Sequence, residues 1–320
     1  MRPGWACRPH AHPLPTFTSG ARIVIPNQTY VSPTERRRRF RARLKTGRTI
    51  WVPGVYDGLS ARLAEQAGAE AIILAGFAVS ASLLGEADAE IYTMTEVRSI
   101  LRHMVNVTTV PVMADGDNGF GNALSVIRTV QEYEAAGATS ITIEDQAAPK
   151  RCPMIIARPA LVPFAEAVGK IKAAVDARRD PETVIVARTD SLDLNEAIDR
   201  ACAYVEAGAD VIKPIWDDID SLEKSRKLLQ ACQRPLSISI VEYIEEKFTI
   251  EQMEEVAAIA TVPVGPITAV AKTLQQTFDT ILQKKYLSRS DIARMPVKDF
   301  KKVIGFEQIE AYERQYLPPE

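Results

Sequence analysis

Three stretches of the chain repeat one arrangement of apolar and polar positions. Residues 62–74 (RLAEQAGAEAIIL), 131–144 (QEYEAAGATSITIE) and 202–214 (CAYVEAGADVIKP) each run from an amphipathic helix end through Ala-Gly into a short apolar strand. Gly68, Gly137 and Gly208 fall where a helix C-terminus calls for a left-handed residue. A repeated helix–Gly–strand unit predicts βαβ architecture with a parallel sheet. Eight apolar, β-rich runs can be counted, at residues 50–56, 71–76, 110–114, 140–143, 183–187, 211–214, 236–241 and 261–265. Most are separated by a helix-length amphipathic segment. Eight alternations match a closed (β/α)8 TIM barrel better than an open doubly wound sheet, and no Gly-x-Gly-x-x-Gly follows the first strand. Two further helical segments, 269–283 and 298–317, follow strand eight. A barrel needs one, so the last is available to pack on another subunit.

Ahead of the first run the pattern fails. Residues 1–34 carry several prolines and basic residues with no acid before Glu35, and lack both the apolar run of a secretory signal and an unbroken amphipathic helix. They are expected to be a disordered extension, with residues 35–320 forming the barrel domain and its C-terminal helices. Residues 35–45 (ERRRRFRARLK) read as a basic, solvated surface helix leading into the first strand. Composition adds exclusions. A net charge of -2 gives no general attraction to nucleic acid or anionic membrane, and no apolar stretch approaches the roughly 18 residues of a membrane span. Cys7, Cys152, Cys202 and Cys232 form no Cys-x-x-Cys pair, which fits reduced thiols in a cytoplasmic setting, with organellar import a weaker reading of the acid-poor start. The three histidines suggest neither a histidine base nor a His-rich metal site.

In a barrel of this kind catalytic groups stand at the C-terminal ends of strands. Here the third run ends in Asp115-Gly116-Asp117-Asn118-Gly119, the fourth in Glu144-Asp145 and the fifth in Arg188-Thr189-Asp190; the sixth ends in Lys213-Pro214, and the seventh carries Glu242. Adjacent acids repel unless a cation compensates them. Oxygen ligands without clustered His or Cys select a hard ion, so Asp115, Asp117 and Glu144 point to Mg²⁺ or Mn²⁺. The Asp-Gly-Asp-Asn-Gly run has the look of a calcium loop, but Val126 stands where its closing glutamate belongs. Asp57 reads as a helix cap, and Asp190 as a cap for the helix near Leu194. Arg188 suits a substrate carboxylate or phosphonate, or else a structural pair with Asp190 or Glu144. The long connection 147–160, with Lys150, Arg151 and Cys152, reads as a lid over the site.

These residues carry a resemblance. The stretches 53–61 (PGVYDGLSA), 79–85 (VSASLLG), 114–121 (ADGDNGFG), 143–146 (IEDQ), 149–152 (PKRC), 187–190 (ARTD) and 206–210 (EAGAD) stand in the order and spacing of the isocitrate lyase/phosphoenolpyruvate mutase superfamily, which the chain resembles over residues 46–270. The resemblance implies Mg²⁺ held by Asp115, Asp117 and Glu144, partly through water, with Asp88 nearby. It implies backbone amides of Gly76 and Phe77 cradling a substrate oxyanion, Arg188 on the substrate carboxylate, and Cys152 as a lid acid or base whose thiolate Lys150 and Arg151 favour. Glu242 is counted with the substrate-binding residues. A homodimer or homotetramer built by swapping the C-terminal helix is also implied. The expected activity is Mg²⁺-dependent carbon–carbon cleavage of a small carboxylate substrate, like that of the 2-methylisocitrate and alkylmalate lyases. Oxaloacetate hydrolysis or decarboxylation, P–C bond chemistry and a non-catalytic binding barrel are the alternatives. Ala75, Pro153, Met154, Ile215 and Ser239 depart from the lyase pattern, so the metal cradle is kept while the substrate-selecting shell is altered.

Overall fold

The computed structural model describes residues 30–152, 158–215, 221–241, 244 and 247–318; Pro153, Met154 and Glu242 lie outside them, as do residues 1–29. After helix α1 (Pro33–Leu44) come β1 (Ile50–Val55), α2 (Gly58–Gln66), β2 (Ile72–Leu74), the short α3 (Gly76–Val79), α4 (Met94–Val107), β3 (Val112–Asp115), α5 (Ala123–Ala136) and β4 (Ser140–Glu144). Then follow α6 (Phe164–Asp176), β5 (Val184–Thr189), α7 (Leu194–Glu206), β6 (Val211–Pro214), α8 (Leu222–Cys232), β7 (Ser237–Ser239), α9 (Ile250–Val256), β8 (Ile259–Val262), α10 (Gly265–Lys284), α11 (Val297–Val303) and α12 (Phe306–Tyr316). The eight strands are parallel in the order β6-β5-β4-β3-β2-β1-β8-β7, and a parallel bridge from Ile212 to Leu236 joins the two ends. This is a (β/α)8 barrel. Gly68, Gly137 and Gly208 take φ of 93°, 99° and 102°, left-handed turns into β2, β4 and β6.

Strand periodicity divides the core in two. Ile72, Leu74, Ile141, Ile143, Ile185 and Ala187 face the helices. Ile50, Val52, Ile73, Met113, Val184 and Val211 fill the barrel interior as stacked apolar layers. The interior positions nearer the C-terminal end are Asp115, Glu144, Arg188 and Lys213. Glu144 is in register with Arg188, and Arg188 with Lys213, so one charged layer lies directly above the apolar ones.

The floor differs from expectation. Helix α1 is not a solvated surface helix: Arg36, Arg37 and Phe40 are buried. Phe40 joins the interior cluster and plugs the N-terminal end of the barrel. Arg37 donates to the carbonyls of Ala138 (2.9 Å) and Glu134 (2.8 Å), and Arg36 to that of Val105 (3.0 Å). These carbonyls lie at the ends of helices α4 and α5 and in the turn after α5, where the regular helical ladder runs out. The basic residues therefore serve the fold. At the other end, the expected helix 298–317 is broken: Gly305 adopts φ of 83° and separates α11 from α12. Helix α10 buries none of its residues.

Candidate active site

The charged layer opens into a cavity of about 80 Å³ lined by Gly76, Asp88, Asp115, Lys150, Cys152 and Arg188 among others. The tail of β3 builds one wall. Gly116 N–H donates to Thr142 O (2.9 Å) and Glu144 N–H to Asp117 O (2.9 Å), which presses the Asp115–Asp117 turn against β4. Asp117 adopts φ of 47°, left-handed for a residue with a β-carbon, and such strain persists where surrounding structure imposes it. Gly76 leaves room for this wall: a Cβ there would clash with the Tyr92 hydroxyl and lie 3.2 Å from Asp117 Oδ1.

The acids are buried and unequally served. Lys150 Nζ touches Asp117 Oδ1 and lies 3.1 Å from Asp88 Oδ1. Arg188 is held by Asp190 through two bonds, of 2.9 and 2.8 Å, and by Glu144 at 2.9 Å. Asp190 is thus the arginine's clamp and not a helix cap; Asp193 caps α7. Asp57 does cap α2, as expected. Asp117 Oδ2 and Glu144 Oε1 are buried with no hydrogen-bond donor among the described residues. Burial, with Asp115 and Asp88 adding to it and Lys150 opposing, pushes the Asp117 carboxyl up to about 7. Burial and Asp190 raise Glu144 well above the carboxylate range against the pull of Arg188. At Asp115 the nearby cations, Lys150 first, outweigh burial and hold the carboxyl low.

This donor set fits a hard divalent cation. Buried carboxylate oxygens without donors await a positive charge. Among the described residues no three acids stand close enough to ligate an ion together. The fit is therefore to an ion that keeps several waters, the habit of Mg²⁺.

The lid base is fixed by Ala147 N–H to Ala160 O (2.7 Å), Arg151 N–H to Gln146 Oε1 (3.0 Å) and Lys150 N–H to Glu90 Oε2 (2.6 Å). Cys152, 6% exposed and outside any disulfide, lines the cavity with its amide on Asp88 O (3.2 Å). Gly76 N–H makes a long bond of 3.4 Å to Asp115 Oδ2, and Phe77 stands beside it on the cavity wall. Of the expected residues, Asp88, Asp115, Asp117, Glu144, Lys150, Cys152, Arg188, Gly76 and Phe77 converge; Glu242 lies outside the described residues. Strand-end reading did not reveal Tyr92, whose buried hydroxyl lacks a partner among the described residues beside the Asp117 turn. Nor did it identify Asp145 as a brace: Tyr204 OH (2.7 Å), Asp190 N–H (3.0 Å) and Arg200 (3.3 Å) all donate to it.

Known proteins share both sequence and shape with this arrangement. The phosphoenolpyruvate phosphomutase family model matches residues 40–282. The chain belongs to the isocitrate lyase/phosphoenolpyruvate mutase superfamily. Within this superfamily of enzymes it is 44% identical over 177 residues to a 2,3-dimethylmalate lyase of Eubacterium barkeri, a match spanning 54% of the chain and 61% of that protein. It is 37% identical over 255 residues to an oxaloacetate decarboxylase of Rhodopseudomonas palustris, covering 77% of the chain and 84% of that protein. A solved phosphonopyruvate hydrolase in complex with oxalate and Mg²⁺ superposes with a TM-score of 0.79 at 31% identity, over 88% of this chain and 99% of that one. No helix among the described residues is long and apolar enough to cross a membrane.

Proposed function

We propose that this enzyme cleaves a carbon–carbon bond in a small 2-hydroxy or 2-oxo dicarboxylate of the alkylmalate class, with Mg²⁺ (or Mn²⁺) bound at Asp115, Asp117 and Glu144 and with Asp88 nearby, partly through water. The observation that carries this reading is the pair of donorless buried oxygens, Asp117 Oδ2 and Glu144 Oε1, around one cavity with Lys150, Arg188 and Cys152. Bound there, Mg²⁺ supplies Lewis-acid polarisation of the 2-oxygen and a template for the neighbouring carboxylate.

The chain's own groups do the rest. Asp190 and Glu144 hold the Arg188 guanidinium flat at the mouth, and its remaining N–H groups meet the substrate carboxylate. Lys150 is held between Asp88 and Asp117 as a buried cation beside the cavity. The amides of Gly76 and Phe77 stabilise the negative charge that develops on oxygen. As a base takes the 2-hydroxyl proton and that oxygen becomes the carbonyl of the 2-oxo acid, the C–C bond breaks, and its electron pair stays on the departing carbon, which takes the proton of the Cys152 thiol. Ile215 and Ser239, on the cavity wall, offer no charge to a third carboxylate, which favours dicarboxylates over isocitrate. Oxaloacetate decarboxylation is the second reading, on the strength of the relative so named. An Mg²⁺-supplemented assay panel tests these. Pyruvate or another 2-oxo acid released from an alkylmalate supports cleavage, and CO₂ release from oxaloacetate alone transfers the assignment to the second reading. Efficient isocitrate cleavage would refute the substrate class.

We also propose that the enzyme assembles as a homodimer, or a tetramer of two dimers, by exchange of α10. No residue of that helix is fully buried on its own barrel. A groove of about 690 Å³ beside Trp51, Pro53, Ala64 and Glu254, between α2 and α9, is free to receive the partner's helix.

A further inference from the structure

Among the described residues, one cation in the charged layer is uncommitted. Lys213, on β6, is 6% exposed, lies in register with Arg188 and lines the same cavity. The ammonium of Lys150 is engaged by Asp88 and Asp117, and the Arg188 fork by Asp190 and Glu144. For Lys213 Nζ no hydrogen-bond acceptor or ion-pair partner stands within reach among the described residues; Asp115, Asp190 and Glu144 act on it only at longer range. A buried ammonium with three unused donors is unfavourable unless something anionic completes it. The protein registers this cost: burial, followed by the repulsion of Arg188, lowers the Lys213 amine to about 8.

The surroundings say what would complete it. The acids that suit a metal stand on the β3–β4 side of the mouth, whereas Lys213 lies beyond Arg188. Past it the wall turns apolar, with Ile215, Val241, Pro263 and Val264. We propose that Lys213 anchors the second carboxylate of the substrate, at the end pointing away from the metal, and that the apolar wall accepts a short alkyl substituent on the same fragment. This rests on the proposed function and names the part of the substrate that the metal side cannot select. A lysine suits the role because its point charge sits on a flexible stem, with donors that follow a carboxylate through cleavage.

Titration calorimetry in saturating Mg²⁺ separates the two ends of the ligand. Oxalate, whose two carboxylate carbons are bonded directly to each other, probes the metal side; malate has a methylene after its 2-hydroxy acid end and so carries its second carboxylate beyond it. In Lys213→Met, which keeps length and loses charge, malate affinity falls by about 10- to 100-fold while oxalate affinity changes by less than about threefold. Lys213→Arg restores part of the malate affinity. If Lys213→Met fails to fold, as judged by circular dichroism, Lys213→Gln replaces it. Unchanged malate affinity overturns the assignment, and so does an equal loss for both probes, which would make Lys213 a support of the whole site. Wild-type protein that binds oxalate but not malate also overturns it while sparing the metal site; wild-type protein that binds neither removes both readings.

Discussion

At the residue scale, the site's chemistry depends on side chains whose charge makes sense only in groups. Asp117 has one oxygen on Lys150 and the other without a donor. Asp117→Asn keeps the shape and removes the charge, so Mg²⁺ affinity should fall by at least about 10-fold with an unchanged circular dichroism spectrum. Exhaustive EDTA treatment should abolish turnover and Mg²⁺ or Mn²⁺ should restore it; full activity in the chelated enzyme would remove the metal from the account. Cys152 is the test of the proton donor. Cys152→Ala should lower kcat by about 10²–10⁴ with little change in Mg²⁺ affinity, and iodoacetamide should inactivate the wild type unless malate or oxalate is bound. Near wild-type kcat on the best substrate would leave a lyase without its acid and favour decarboxylation.

At the element scale, α1 shows how a charge-rich segment is recruited to a core. Its Phe40 is 1% exposed at the bottom of the barrel, while Arg36 and Arg37 cap carbonyls at the ends of helices α4 and α5. Phe40→Ala removes a fully buried ring from a closed layer and should cost about 3–5 kcal/mol, read as a lowered midpoint in urea unfolding. A loss below about 1 kcal/mol would mean that α1 rests on the barrel without sealing it. The same scale explains the divided C-terminal helix. Its apolar residues run in register across 298–317, but Gly305 permits a left-handed turn that an unbroken helix forbids.

At the scale of the whole molecule, the exposed apolar surface is concentrated. Val270, Leu274, Phe278, Ile281 and Leu282 follow helical spacing along α10 and are all exposed. A stripe of this kind marks an interface, and in a two-fold dimer the same helix and groove serve twice. Phe278→Asp should therefore convert the assembly to monomers in light scattering and lower its melting temperature. A wild-type protein that is monomeric at tens of micromolar would end the exchange proposal.

How much of this was written in the sequence depends on the range of the interaction concerned. Helix ends at Gly68, Gly137 and Gly208, the cap at Asp57 and the alternation of β-strands follow from contacts within a few residues, and a chain read in order displays them. The acidic strand ends and Arg188 were legible for a related reason: a parallel barrel sends every strand's C-terminus to one face, so position along each strand already gives position in the site. Partner choice was legible only in part. The pairing of Arg188 with Asp190 or Glu144 could be read from the sequence, but Asp145 braced by Tyr204 and Arg200, and Arg37 of α1 on Ala138, join residues 55 to 101 positions apart, and only closure of the barrel decides that they meet. Lys213 is the clearest case. In the sequence it is one lysine after an apolar pair, and its significance comes from standing buried in the charged layer with no acid in contact among the described residues.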